Sequence, residues 1–209
     1  MMKLLVLGAT GGIGLEIVRQ AAERNHQVTA FVRAPERLKS IAARFGIIQG
    51  DPLNRAELAR AMEDQDAVLS GFGPRVPIAK TDATLLHRFG VALSDAMREV
   101  GIRRAIVVST AFLFKDSIIP PTNLVGRLFF PNMVADATEM ESFFQQSGLD
   151  WTLVRPPRLT NRPRRNRYRV REDHLPGFGF TISRADVAAF MIKTAENHAF
   201  IQKVVGISN

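Results

Sequence analysis

The sequence has 209 residues, of which 46% are hydrophobic and 23% charged, a composition that is ordinary for one globular domain. It contains no cysteine, which excludes disulfides, thiolate catalysis and cysteine metal sites, and its four scattered histidines have no metal-ligand spacing, so we expect no metal. No stretch approaches the ~20 apolar residues of a membrane span and no targeting signal is evident, so we expect a cytoplasmic protein.

The first feature in chain order is a glycine-rich turn, Gly8-Ala9-Thr10-Gly11-Gly12-Ile13-Gly14, between an apolar run at residues 4–7 and a segment with helical spacing. Gly8 lets the chain leave the strand sharply, Gly11 lets a pyrophosphate approach the backbone, and Gly14 lets the helix pack close to the strand. The N–H groups at the helix start would face the phosphates. We interpret the turn as a dinucleotide site; an ordinary tight turn is the alternative.

Strand and helix patterns alternate after this turn. The further predicted strands are residues 28–32, 46–50, 67–70, 105–109, 152–155 and 204–207. The first predicted helix follows the glycine turn, and the next two begin near Pro35 and Asn54. A fourth runs from about Asp82 to Val100, and a fifth, after a loop with Pro120-Pro121, carries Met140, Phe143, Phe144 and Ser147 on one side. The last begins at Ser183. Asn54 with Glu57 and Ser183 with Asp186 have the spacing of capped helix starts. The alternation predicts an α/β fold, a Rossmann-type doubly wound parallel sheet with helices on both faces, as a single domain over residues 1–209.

Ligands of such sheets bind beyond the carboxyl ends of the strands. The residues that follow the predicted strands therefore form the candidate site, although they are far apart in the sequence. They are Gly8 to Gly14, Arg33, Gly50-Asp51, Gly71-Phe72-Gly73, Ser109-Thr110 and Pro156-Pro157.

The end of the second strand indicates which dinucleotide binds. An NAD site usually carries an acidic residue here, which holds the ribose 2′-hydroxyl. This chain has Arg33, with Arg37 one turn further on, and Thr10 in the turn can donate a hydroxyl to the same region. A guanidinium attracts a 2′-phosphate and can bond it bidentately, which favours NADP(H). The alternative is that Arg33 is only a solvated charge at a strand end.

The arrangement resembles the short-chain dehydrogenase/reductase superfamily but lacks its reactive pair. The main branch uses a Tyr-x-x-x-Lys pair in the helix after strand five. Residues 116–150 contain neither tyrosine nor lysine, and Tyr168 is the one tyrosine of the chain. We therefore expect no carbonyl–alcohol chemistry of that kind.

The absence of this pair points to an atypical branch, the NAD(P)-binding group of NmrA-like proteins and the flavin reductase (biliverdin reductase B) family. The chain resembles this group over nearly its whole length. The most specific stretches are Ser109-Thr110-Ala111-Phe112-Leu113 and Arg155-Pro156-Pro157. The others are Gly8-Ala9-Thr10-Gly11, Val32-Arg33, Gly50-Asp51, Gln65-Asp66-Ala67-Val68, Ser147-Gly148-Leu149-Asp150 and residues 182–190.

The resemblance implies NADPH-dependent reduction of flavins such as FMN or riboflavin, and of linear tetrapyrroles (bilins). It implies that the adenosine-phosphate end is held by Thr10, Gly11, Gly12, Ile13, Arg33 and Arg37, and that the adenine lies beside Asp51 and Pro52. It also implies that the ribose contacts Gly71, Phe72 and Gly73, and that the nicotinamide lies between Ser109 and Pro156. Where the family can have a histidine after the double proline, this chain has Arg158. A permanent cation there replaces an imidazole, so we do not rely on a proton donor at this position, whereas anion binding becomes easier.

Flavin reduction needs little acid–base help, because hydride passes from the nicotinamide to flavin N5 and the proton can come from water. Ser109 can hydrogen-bond the acceptor or the carboxamide, or it can simply end a buried strand. Phe112, Leu113 and Phe114 can form an apolar wall for a ring system, or belong to the core.

Residues 151–175 hold eight arginines against two acidic residues, and so carry most of the formal net charge of +8. In residues 167–171 arginines alternate with Tyr168 and Val170, which puts the two kinds of side chain on opposite faces. This segment is a solvated hairpin, a rim that attracts anionic substrates, or a contact for nucleic acid or a partner protein. Nucleic acid is the weakest of these, since no nucleic-acid fold accompanies the arginines.

The competing function is a non-catalytic NADP sensor that binds a partner protein, as NmrA-like relatives do. We expect a small-molecule ligand, no membrane and no nucleic-acid partner, and a monomer or a weak homodimer.

Overall fold

The structure is a computed structural model of the chain and describes residues 1–74, 82–115 and 122–209. Its strands are β1 (Lys3–Leu7), β2 (Gln27–Val32), β3 (Gly46–Gln49), β4 (Ala67–Ser70), β5 (Arg104–Val108), β6 (Asp150–Arg155), β7 (Arg158–Thr160), β8 (Arg169–Glu172), β9 (Thr181–Ser183) and β10 (Lys203–Ser208). Its α-helices are α1 (Gly12–Glu23), α2 (Arg55–Met62), α3 (Leu85–Val100), α4 (Thr122–Phe129), α5 (Pro131–Gln146) and α6 (Arg184–Glu196).

Eight strands form one sheet in the order β3-β2-β1-β4-β5-β6-β10-β8, and β7 pairs with β9 beside it. All neighbours in the large sheet are parallel except β8, which runs antiparallel to β10. The order of the first six strands is that of a doubly wound dinucleotide-binding sheet, and it reverses between β1 and β4. The predicted Rossmann-type α/β fold is confirmed.

Helices cover both faces of the sheet, because the central strands are apolar on both sides. Leu5 and Leu7 of β1 pack in a core with α2, α3 and α5, whereas Leu4 and Val6 pack in a second core with α1 and α6. All four side chains are fully buried. A strand that is buried on both sides has a continuous apolar sequence, and residues 4–7 show this pattern.

Two predicted helix caps are present. The Asn54 side chain accepts a hydrogen bond from the backbone N–H of Glu57 (3.3 Å) and donates one to its carboxylate (2.9 Å). The Ser183 hydroxyl accepts one from the backbone N–H of Asp186 (2.9 Å). Both interactions satisfy groups that the first turn of a helix leaves unpaired.

Several element boundaries differ from the sequence-based expectation. The helix expected near Pro35 is a pair of 3₁₀ turns, α3 begins at Leu85, and Ser147 follows the last residue of α5. The helix α4 was not predicted, and Pro120-Pro121 lies outside the described residues. Among those residues, no helix combines the length and the apolar character that crossing a membrane requires.

Of the alternatives for the arginine segment, the structure does not form the hairpin, because β8 pairs with the distant strand β10 at the sheet edge. The alternation itself is confirmed. Tyr168 and Val170 are half-buried against the α1/α6 core, where the Tyr168 ring meets Phe190 edge-on at 6.0 Å between centroids. The arginines between them are exposed.

Candidate functional site

The glycine-rich turn is held by close backbone contacts that exclude side chains. The Gly11 N–H donates to the Gly8 carbonyl at 2.8 Å, and Gly8 has a positive φ of 73°. A Cβ at Gly14 would lie 2.2 Å from the Gly8 oxygen, and one at Gly71 would lie 2.8 Å from the Gly14 nitrogen. The turn, the start of α1 and the end of β4 therefore interlock at the point where the strand order reverses.

The start of α1 is open to an anion. Its N-cap, Gly11, makes no side-chain cap, and no acidic residue lies in its first turn. The helices α2 and α6 differ, because side chains of Asn54 and Ser183 occupy their N-termini. The first N–H groups of α1 and its positive dipole end are thus available to a phosphate.

A cavity of about 740 Å³ runs along the carboxyl ends of β1, β2, β4, β5 and β6. It brings together fourteen of the residues predicted for the site, which the sequence separates by up to 149 positions. They are Gly8, Thr10, Gly11, Gly12, Ile13, Arg33, Pro52, Gly71, Phe72, Gly73, Ser109, Thr110, Pro156 and Pro157. The strand-end rule therefore locates the cavity, while the role of each residue stays a prediction.

Other predicted residues lie outside the lining of this cavity, as far as the described residues form it. Arg37 and Arg158 are exposed, one in a 3₁₀ turn and the other at the start of β7. The Asp51 carboxylate accepts a hydrogen bond from the Leu53 N–H (3.1 Å) and so shapes its own turn.

The predicted apolar wall is also outside the lining. Phe112 stacks on Phe130 with ring centroids 5.6 Å apart, and its side chain fills the space that a Cβ at Gly126 would need. Leu113 packs against the core of α2, α3 and α5, and Phe114 is buried in it. Their contacts are therefore with the protein itself in this structure.

Ser109 presents a hydroxyl without a protein partner. Its backbone N–H donates to the Val154 carbonyl at 2.7 Å, which fixes the residue between β5 and β6. Its buried Oγ lines the cavity and has no hydrogen-bond partner among the described residues. An unpaired buried hydroxyl is costly, so the geometry fits a ligand that supplies a polar group here.

The helix α5 lines the cavity with apolar side chains. Its contributions are Met133 and Ala137, which are four residues apart, the spacing of the missing Tyr-x-x-x-Lys pair. Tyr168 lies elsewhere, against the α1/α6 core. The described lining therefore holds no tyrosine or lysine, and any proton must come from another source.

The sequence reasoning missed twelve residues of the lining. These residues are Phe31, Val32, Ala34, Pro74, Asp82, Leu85, Leu86, Val108, Met133, Ala137, Leu159 and Arg184. Three of them are the last residues of β2 and β5, and the others come from helices, from loops and from β7. The notable member is Arg184, a cation beside the glycine-rich turn that lies between the two residues of the predicted cap of α6.

An ion pair lies next to the end of β6. Arg155 bonds the Glu141 carboxylate through both Nε and Nη2, and its guanidinium lies 4.8 Å from the centroid of the Phe114 ring. The two charged side chains are 13% and 3% exposed. Arg155 is thus part of the scaffold that holds Pro156, rather than of an anion-attracting rim.

Known proteins resemble this chain in sequence and in fold. A family model described as NAD(P)H-binding matches residues 8–198. An uncharacterised chloroplastic protein of Arabidopsis thaliana is 31% identical over 173 residues, which cover 77% of this chain and 60% of the plant protein. This chain therefore spans less than two thirds of that relative.

Solved structures extend the likeness over the whole chain. A protein of Burkholderia pseudomallei described as a putative exported protein is 28% identical, with a TM-score of 0.84 and complete coverage of both chains. ChuY, described as an anaerobilin reductase of Escherichia coli, is 23% identical, with a TM-score of 0.81 over 99% of this chain and 96% of its own. At that identity, the second likeness shows the fold alone.

Proposed function

The chain belongs to the NAD(P)H-binding family, and from this premise we propose that it is an NADPH-dependent oxidoreductase. In this proposal it delivers hydride to a flat, anionic acceptor, which is a flavin such as FMN or a bilin. The observation that carries the proposal is the single cavity that joins the glycine-rich turn, Arg33 and Ser109. β2 and β5 are three strand spacings apart, or ~14 Å. A dinucleotide that lies across β1 and β4 can span this distance.

The charge at the end of β2 supports NADPH over NADH. Arg33 lines the cavity where an NAD site usually carries a carboxylate. A guanidinium there can pair with the 2′-phosphate, whereas it gives a ribose hydroxyl no comparable charge attraction.

The other end of the cavity supports direct hydride delivery. NADPH, when bound, supplies the hydride. The Ser109 hydroxyl can donate to a carbonyl group of the carboxamide or of the acceptor, and Pro156 limits the position of the ring beside it. Met133 and Ala137 stand at the spacing of the missing pair and offer no proton, so in this proposal the proton that accompanies the hydride comes from solvent.

The class of acceptor rests on shape and charge. A site without the reactive tyrosine and lysine suits an acceptor whose reduction does not depend on them, as with flavins. The fold likeness to ChuY, a protein described as an anaerobilin reductase, adds bilins to the acceptors worth testing. The exposed Arg158 can attract the phosphate of FMN or the carboxylates of a bilin.

The decisive experiment measures NADPH oxidation by its absorbance with FMN, riboflavin and biliverdin in turn, and a sample without protein is the control. We expect turnover with at least one acceptor and a preference for NADPH over NADH. Tight NADPH binding without oxidation of any acceptor would instead support the NADP sensor. That alternative is favoured by the exposed apolar side chains of α4, since Leu124, Leu128 and Phe129 are 57%, 67% and 71% exposed.

A further inference from the structure

We propose that Arg184 is a pyrophosphate-binding residue, which closes over the glycine-rich turn from the start of α6 and holds both phosphates of the dinucleotide bridge. The inference rests on the dinucleotide binding in the proposed function but not on the reaction. It assigns the bridge to Arg184 and the 2′-phosphate to Arg33, so the two arginines have separable tasks.

The first observation is the path of the side chain. Arg184 begins α6, far from the glycine-rich turn in the sequence, yet it lines the same cavity. A Cβ at Gly12 would lie 2.4 Å from Arg184 Cδ and 2.6 Å from its Nε. The arginine stem therefore crosses the first residue of α1, and its guanidinium stands beside the helix start where a pyrophosphate would bind.

The second observation is that the charge of Arg184 is not neutralised by a carboxylate. Its Nη1 donates to the neutral side-chain oxygen of Asn161 at 2.7 Å, and no ion pair of Arg184 is found among the described residues. Asn161 orients the group and leaves further N–H donors free.

The carboxylate nearest in sequence is already engaged. Asp186 is buried, and its oxygens accept from the Ser183 hydroxyl (2.7 Å) and from the backbone N–H groups of Arg165 and Asn166 (2.9 and 2.8 Å). It therefore holds the Ser183 cap of α6 in place and fastens the loop before β8, and it does not turn toward the guanidinium.

Electrostatics explain why such an arrangement needs an anion. A cation at the start of a helix is unfavourable, because the N-terminus carries the positive end of the dipole. Arg184 stands beside the start of α1, which has no side-chain cap and no acidic residue in its first turn, so the positive end of α1 and a cation meet in one part of the cavity. A pyrophosphate resolves this concentration of positive charge and can accept a bidentate pair from the guanidinium.

The test compares Arg184→Gln with a control variant, Arg19→Gln, which removes an exposed arginine from α1. Calorimetry measures the binding of NADPH, NADH and adenosine 2′-monophosphate, which has no pyrophosphate. For Arg184→Gln we expect both dinucleotides to bind about 10- to 100-fold more weakly and the monophosphate to bind as in the wild type. Arg184→Lys should retain part of the affinity, and Arg19→Gln all of it.

Three outcomes overturn the assignment: unchanged binding of both dinucleotides, a loss limited to NADPH, or an equal loss for the monophosphate. The free energy of unfolding of each variant shows whether a loss of binding reflects misfolding, and Arg184→Lys decides the question if Arg184→Gln does not fold. Because the readout is affinity, the proposed function can fail separately, through absence of NADPH oxidation in a wild type that binds NADPH.

Discussion

The Cα of Gly14 lies so close to the carbonyl group of Gly8 that a Cβ at Gly14 would stand 2.2 Å from the Gly8 oxygen. The neighbouring atoms belong to backbone that also contacts Gly71, so they cannot move without disturbing β4. We therefore expect Gly14→Ala to lower the free energy of unfolding by about 1–3 kcal/mol, as overpacking does. Denaturant unfolding measures it, with Gly73→Ala as the control, since nothing lies within 4 Å of a Cβ at Gly73. Equal stability of the two variants would show that the turn is not close-packed.

Arg33 sets the cofactor preference in our proposal. Arg33→Gln removes the cation from the end of β2, so we expect NADPH to bind about 10- to 100-fold more weakly, the value of one or two charged hydrogen bonds. NADH should bind almost as before. Parallel titrations with the two dinucleotides measure this, and Arg60→Gln on the exposed face of α2 is the matched control. A similar loss for both dinucleotides would remove the 2′-phosphate assignment.

Ser109→Ala separates binding from stability. The Ser109 hydroxyl has no hydrogen-bond partner among the described residues, so its removal should leave the free energy of unfolding nearly unchanged. If the hydroxyl holds the carboxamide or the acceptor, kcat/KM should fall about 10-fold, the effect of one hydrogen bond. Ser142→Ala, on the exposed side of α5, is the control. A destabilised Ser109→Ala with full activity would assign Ser109 to the scaffold instead.

Removing only one member of the buried ion pair of Arg155 and Glu141 should lower the free energy of unfolding strongly. Either Arg155→Met or Glu141→Leu leaves one charge buried without its partner, so we expect each to lower the free energy of unfolding by about 3–5 kcal/mol. The double variant should lose less than either single variant, because no unpaired charge remains. Denaturant unfolding of all four proteins gives this cycle. Additive losses would mean that the two charges do not depend on each other.

Ionisation of the Tyr168 phenol should lower the free energy of unfolding at alkaline pH. Burial raises its pKa above the usual value of about 10, with a smaller contribution from the negative charge of Asp186. The folded state therefore favours the protonated phenol, and this stability is present below pH ~10 and lost as the pH rises through the folded pKa. Tyr168 is the one tyrosine of the chain, so the tyrosinate absorbance reports it without overlap.

We expect this absorbance to appear at a higher pH than in the unfolded chain. Tyr168→Phe should lose less stability than the wild type between neutral pH and pH above ~10. Equal losses in the two proteins would show that the phenol contributes no pH dependence.

The sequence predicts well what local chemistry determines. The apolar run of β1, the glycine-rich turn and the caps at Asn54 and Ser183 each depend on residues a few positions apart, and all four are present in the structure. The strand-end rule then places Arg33, Ser109 and the glycines in one cavity, because parallel strands end at one edge.

The features that were missed depend on contacts between distant residues. Gly126 lies inside α4, where glycine disfavours a helix, but its missing Cβ makes room for Phe112. The strand β8 finds its partner in β10, more than thirty residues further on. Arg184 meets Gly12 only because α1 and α6 share a face of the sheet. No periodicity or spacing in the sequence encodes such pairs.

The position of β8 has a consequence for the behaviour of the protein at high concentration. This strand ends the large sheet, and an open edge strand is a template on which a second chain can add and aggregate. Arg169 and Arg171 are exposed on it. Two copies that met edge to edge would bring these cations side by side, which costs free energy that strand pairing must overcome. The exposed arginines of β8 thus disfavour the pairing of two copies at this edge, an effect that requires no ligand.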